Sequence, residues 1–244
     1  MGVLTTFWLG VRATLFWIGF ASSTMLYGLL APLLGFLPYQ RYYRILLSWS
    51  AFNVWWLQVT CGVYHQVKGR ENIPTDHAAI VMSNHQSTWE TMALAGIFPP
   101  LTWVLKKELQ KVPFFGWGLR LIKPVAIDRS AGRNAVEQVK IQGKERLDEG
   151  IWIVVFPEGT RVKPGVKARY KIGGAVMAVS TGYPIVPVAH NAGESWPRHS
   201  YIKKPGTITV SIGKPIATVD RTAESVMQEV ENWIEAEKAT LVFK

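Results

Sequence analysis

At 244 residues the chain is long enough for one medium domain plus an accessory segment, and it can bury a sizeable core without disulfides or metals. Cys61 is its only cysteine, which excludes an intrachain disulfide and a thiolate metal site and fits a reducing compartment. A net charge of +10 makes the surface attractive to anions, whether phosphate substrates, an acidic carrier protein, nucleic acid or anionic lipid, and does not choose among them.

The first 64 residues narrow that choice. They contain no Asp or Glu, and their only basic side chains are Arg12, Arg41 and Arg44, so the rest of the chain carries +7. Residues 13–37 and 45–64 are two charge-free runs of 25 and 20 residues, each long enough to cross a hydrocarbon core of about 30 Å. Trp8, Trp17, Trp49, Trp55 and Trp56 add rings of the kind that settle at headgroup level. The weak n-region and the tandem runs argue against a signal peptide. Residues 1–64 therefore read as a membrane-associated helical segment, with 65–244 as the catalytic part. The connector at 38–44 holds two arginines, and the positive-inside tendency places it on the same cytoplasmic side as the basic domain. Two full spans would separate them, so at least one segment is expected to be re-entrant or interfacial.

Beyond residue 64, short apolar runs alternate with amphipathic stretches. Strands are expected at 78–82, 101–105, 122–127 (interrupted by Pro124), 151–156, 185–189 and 207–212. Helices are expected at 88–98, 134–148 with Gly150 as its stop, 174–180 and 223–238. The alternation predicts an α/β fold: a central mixed sheet flanked by helices, preceded by the apolar two-helix segment.

Two clusters of polar residues follow predicted strands, where α/β sites form. In the first, Ser83, Asn84, His85, Gln86, Ser87, Thr88, Trp89 and Glu90 run from a strand end into a helix start. Neutral imidazole is matched to taking a hydroxyl proton near pH 7, and a carboxylate on its other nitrogen fixes the tautomer. Five positions correspond to about 500° of a regular helix. His85 and Glu90 can therefore meet only if His85 precedes the helix and Glu90 reaches back, with Ser83, Asn84, Ser87 and Thr88 as capping candidates. In the second cluster, Phe156 and Pro157 lead into Glu158, Gly159, Thr160 and Arg161. Gly159 permits positive φ, Arg161 can fork onto a phosphate, and Glu158 can orient that guanidinium or bind a substrate hydroxyl. Lys106 is a further candidate for phosphate attraction. Phe114, Phe115 and Trp117 either shape an acyl channel or touch lipid. His190 is the weaker histidine, since no carboxylate stands near it in sequence before Glu194.

In this order and spacing, the segments resemble the glycerolipid acyltransferase family, closest to the bacterial 1-acyl-glycerol-3-phosphate acyltransferases. The blocks that carry the likeness are Asn84 to Glu90, Lys106 to Trp117 with Ile127, Asp128 and Arg129, Phe156 to Arg161, and Val186, Pro187 and Val188. The resemblance implies that His85 is the general base and that Glu158 and Arg161, helped by Lys106, bind the acceptor's glycerol phosphate. Gly159 and Thr160 belong to the same substrate-binding block. It implies no cofactor and no metal: the donor is an acyl thioester of coenzyme A or acyl carrier protein. The other partners are a lysophospholipid and membrane lipid, at the cytoplasmic face of the inner membrane, and not nucleic acid.

One position departs from the family pattern, which has Asp where this chain has Glu90. An added methylene moves a carboxylate by about 1.5 Å unless the helix entry compensates. Glu at this position also occurs in the related acyltransferases that act on lipid A precursors, which stand as the alternative, as does transfer to another lysolipid. A membrane lipid hydrolase is a rival of another class, but the chain has no G-x-S-x-G elbow. The expected mechanism is direct transfer without an acyl-enzyme, its oxyanion met by backbone N–H groups near a helix start.

Overall fold

A computed structural model describes residues 2–128 and 133–241. The first apolar run lies within helix α1 (Val3–Leu34), and Gly35 to Pro38 lead into α2 (Tyr39–Cys61). The two are antiparallel. Trp56 donates to the Leu15 carbonyl, Asn53 bonds Ser23, and Tyr27 bonds Ser48, so the partner number falls as the other rises. α1 is the one described helix long and apolar enough to cross a membrane, over Leu4–Leu34. Its outer face leaves Leu4, Phe7, Ile18, Leu29 and Leu33 more than half exposed, an apolar surface that suits lipid. The second run falls short of that standard. Ser48, Ser50, Asn53, Gln58 and Thr60 interrupt it, and Asn53, Leu57 and Thr60 are buried. Arg41 and Arg44, read as connector residues, belong to the opening turns of α2.

Gly62 ends α2 in the left-handed region (φ 67°), and strand β1 (Val63–Lys68) follows directly. No strand was expected here: only Val63 is buried, Val67 is half-buried, and the other positions are exposed. Backbone pairing with β7 (Gly206–Ile212), from Val63 opposite Gly206 to Lys68 opposite Ser211, holds it at the sheet edge. The expected strands appear as β2 (Ile80–Ser83), β3 (Leu101–Lys106), β4 (Val125–Ile127), β5 (Trp152–Val155) and β6 (Ile185–His190). The helices between them are α3 (Trp89–Ile97), α4 (Phe115–Leu121), α5 (Arg133–Asp148), α6 (Gly173–Thr181) and the single turn α7 (Ala192–Ser195). α8 (Ala223–Thr240) closes the fold. The Thr222 hydroxyl caps it by accepting from the Ser225 amide, and Val226, Met227, Val230 and Ile234 are buried along it.

The seven strands form one mixed sheet in the order β1-β7-β6-β2-β5-β3-β4. The five from β6 to β4 are mutually parallel, and β7 runs antiparallel to β6. β2, β5 and β6 are buried at every position, which is why they read as unbroken apolar runs rather than alternating ones.

The helical hairpin shares the core of the sheet. Phe16 of α1 and Leu57 and Cys61 of α2 pack in one cluster with residues of β2, β5 and β6. A cage of rings reinforces this. The Lys203 ammonium lies 3.9 Å from the Trp17 ring centre, 4.6 Å from Trp196 and 5.2 Å from Phe16, and donates to the Tyr201 carbonyl at 2.7 Å. Arg12 adds a bond to the Thr60 carbonyl.

Candidate active site

Sheet register assembles the site before any side chain is considered. Met82 of β2 stands opposite Val155 of β5 and Pro187 of β6, while β3 flanks β5 with Trp103 opposite Val154. All four strands are parallel, so the residues just past their carboxyl ends emerge together: His85, Glu158 to Arg161, His190 and Lys106. That edge is where ligands bind in open α/β sheets.

His85 precedes α3, and Glu90 sits in that helix's first turn. The condition for their meeting is satisfied, at 2.8 Å between His85 Nδ1 and Glu90 Oε1. The same oxygen accepts from the amides of Gln86 (2.8 Å) and Ser87 (2.7 Å), so the longer side chain curls under the loop that carries His85. Glu90 is fully buried. Burial opposes its ionisation, but the rings of His190 and His85 and the amide donors outweigh it and hold its pKa below the ordinary value. An ionised Glu90 requires the proton on Nδ1 of His85, which leaves Nε2 free to accept another. The ring stacks on Phe156 at 4.1 Å between centres, and the side chain keeps 17% of its surface open.

The anticipated caps are used differently. Ser87 Oγ accepts from the Trp89 amide, whereas Thr88 makes no cap and accepts from Arg161 Nη1 at 2.8 Å. Thr88 thus joins the second cluster to the first. Gly159 has φ 68°, as its turn requires, and an added Cβ would stand 2.8 Å from Lys171 Nζ.

Glu158 departs from expectation. Its carboxylate neither orients Arg161 nor faces the cavity; it accepts the His85 amide through both oxygens, at 3.0 and 3.2 Å. It is 6% exposed, and burial pushes its pKa up to about 8. The side chain therefore positions the His85 backbone, the opposite of a substrate-facing role. The amides of residues 85, 86, 87 and 89 at the start of α3 are all committed, to Glu158, Glu90 and Ser87.

His190, weak by sequence, stands beside the dyad. Its Nε2 is 4.0 Å from Glu90 Oε1. Nδ1 accepts from the Ala192 amide, so Nε2 carries the proton and donates to the Asn84 carbonyl at 2.7 Å. Burial pulls its pKa below the ordinary histidine value despite Glu90. It is a neutral brace.

A cavity of about 390 Å³ runs from these groups into the helical hairpin. Its polar lining includes His85, Thr88, Lys106, Thr160, Arg161 and Arg198. The apolar remainder includes Tyr27 and Gly28 of α1, Leu46 and Leu47 of α2, and Leu119 of α4. Phe114 and Phe115 line it too, which favours the channel reading for both, while Trp117 packs edge-on against Phe114. Arg198 was not anticipated, since it follows no strand and belongs to no block of the resemblance. Arg129 lies outside the described residues.

A buried carboxylate, an imidazole with one nitrogen free, cations without a carboxylate partner among the described residues and an apolar channel suit a reaction between a hydroxyl on an anionic molecule and a long acyl group. Comparison with known proteins agrees. Residues 65–191 match the family model described as Acyltransferase. The chain is 42% identical to the 1-acyl-sn-glycerol-3-phosphate acyltransferase of Pseudomonas aeruginosa, covering 92% of this chain and 89% of that one. It is 29% identical to the protein of the same name from Saccharomyces cerevisiae, over 93% and 75% of the two chains. Among solved structures, that of the 1-acyl-sn-glycerophosphate acyltransferase of Thermotoga maritima superposes with a TM-score of 0.75 at 26% identity, covering 95% of this chain and 97% of that one. The chain belongs to the acyltransferase family.

Proposed function

We propose that the protein transfers a fatty acyl group from a thioester to the free hydroxyl of 1-acyl-glycerol-3-phosphate, giving phosphatidic acid for phospholipid synthesis. The observation that carries this reading is one cavity whose lining brings together His85, the cations Lys106, Arg161 and Arg198, and the apolar side chains of the helical hairpin.

His85 Nε2 takes the proton of the acceptor hydroxyl as its oxygen attacks the thioester carbonyl. The tetrahedral intermediate collapses by breaking the C–S bond, and the imidazolium returns its proton to the departing thiolate. Glu90 keeps the ring in the required tautomer and stabilises the imidazolium. Arg161, aimed by Thr88, holds the acceptor phosphate with Lys106 and so sets the distance from hydroxyl to base. Thr160 and Gly159 complete that lining. Glu158 acts through the His85 backbone. The donor is a thioester of coenzyme A or acyl carrier protein, both anions suited to a basic surface. The helical hairpin holds the enzyme at the cytoplasmic face of the inner membrane, where its acceptor resides.

The test is transfer by purified protein across a panel of lysolipids, a lipid A precursor among them, with both donors. Preferential conversion of 1-acyl-glycerol-3-phosphate is expected. Preference for another acceptor, or release of free fatty acid in place of transfer, would overturn the reading.

A further inference from the structure

The acceptor site has a third cation whose position has a chemical meaning. Arg198 lies between α7 and β7 and lines the cavity with Arg161 and Lys106. Its Nη1 donates to the backbone carbonyl of Arg161 at 3.3 Å, and its Nε donates to His199 Nε2 at 2.9 Å. Of the five N–H groups of a guanidinium, three remain uncommitted among the described residues. None of the three cations pairs with a carboxylate among those residues, and no Asp or Glu lines the cavity. Like charges that line one cavity without counter-charges repel each other until an anion arrives.

The charge of that anion distinguishes acceptors. A phosphate monoester carries about −1.5 to −2 charges at neutral pH and three free oxygens. A phosphodiester headgroup carries one charge and two free oxygens. Arg161 with Lys106 is sufficient for the single charge. A second fork, bonded to the backbone carbonyl of Arg161 and lining the same cavity, offers a partner for the additional oxygen and charge.

We propose that Arg198 is a specificity-determining residue that reads the second negative charge of the acceptor's phosphate monoester and so favours 1-acyl-glycerol-3-phosphate over diester lysolipids. This rests on the function proposed above and deepens it.

The experiment uses the full-length protein in mixed micelles with two acceptors, 1-acyl-glycerol-3-phosphate and its phosphate methyl ester, which differ by one capped oxygen. Arg198→Gln should raise KM for the monoester on the order of 10-fold, a typical loss for one charge-assisted bidentate contact. KM for the methyl ester should move by about twofold or less, since the charge that Arg198 reads is absent. The thioester KM and the melting temperature should stay put, and Arg198→Lys should recover part of the monoester affinity because it restores charge without the fork. An equal rise for both acceptors, a shift in thioester KM instead, or no change at all would overturn the assignment. Wild-type protein that acylates neither acceptor would refute the function itself, whereas an active enzyme indifferent to Arg198→Gln would refute only this inference.

Discussion

Asn84 and His190 hold each other by three hydrogen bonds. The Asn84 amide donates to the His190 carbonyl at 2.9 Å, its oxygen accepts the His190 amide at 2.9 Å, and the imidazole donates to the Asn84 carbonyl at 2.7 Å. The ends of β2 and β6 are thereby locked one residue before His85. Gln86, one residue after it, accepts from the Gly193 amide at 3.1 Å. The loop that carries His85 is thus braced on both sides of the imidazole.

Asn84→Ala should therefore strand two buried backbone groups of His190 and destabilise the fold by about 2–3 kcal/mol. It should lower kcat more than it raises acceptor KM. Urea unfolding and steady-state kinetics on the same preparation test this; a variant as stable as wild type would contradict the brace.

His85→Ala removes the proposed base while leaving the helical hairpin untouched. Turnover should fall by at least about 10³-fold with membrane sedimentation unchanged, while loss of one donor to the buried Glu90 carboxylate should lower stability by about 1–3 kcal/mol. Retention of a tenth of the activity would sink its role.

Glu90→Gln keeps the length of the side chain but presents a neutral group to three donors. We expect kcat to fall by about 10²–10⁴-fold, since the His85 tautomer is no longer enforced, with a stability loss of about 1–3 kcal/mol from the weakened hold on the Gln86 and Ser87 amides. Glu90→Asp restores charge but is one methylene short, and should recover only part of kcat. Full activity in the glutamine variant would show that the carboxylate is dispensable.

For Arg161, the split between kinetic constants is the decisive measurement. Arg161→Ala should raise acceptor KM by about 10–100-fold, the worth of a charge-assisted fork on phosphate, and Thr88→Val should raise it several-fold by releasing the guanidinium. If Thr88→Val changed neither constant, the 2.8 Å contact would have no bearing on substrate.

Glu158 makes stability depend on pH with a definite sign. Its folded pKa of about 8 lies above the ordinary value of 4.5, so the folded state holds the proton more tightly than the unfolded chain. For a carboxylate shifted upward, the contribution is complete below about pH 4.5 and is lost as pH rises toward 8, by an amount on the order of a few kcal/mol. Glu90, shifted the other way, acts only at pH below its ordinary range. Wild-type melting temperature should fall between pH 5 and 9. Glu158→Gln, which retains an acceptor for the His85 amide, should flatten that slope; parallel slopes would disprove the assignment.

Much of this molecule was legible in the order of its residues. Continuous apolar runs announced β2, β5 and β6 because those strands are buried on both faces, and the polar residues just beyond them marked the edge where a site forms. The demand that His85 precede its helix came from helical geometry alone, and the folded chain meets it. β1 escaped notice because only Val63 and Val67 face the core, and its position is set by backbone pairing to residues 143 positions further on. The direction of Glu158 could not be read either. A carboxylate beside an arginine in sequence suggests a pair, but the register of β2 against β5 puts the His85 amide closer. His190 and Arg198 became part of the site only through folding. Local pattern records which face of the chain each residue occupies, whereas partners across the sheet are chosen by long-range register, which no local spacing encodes.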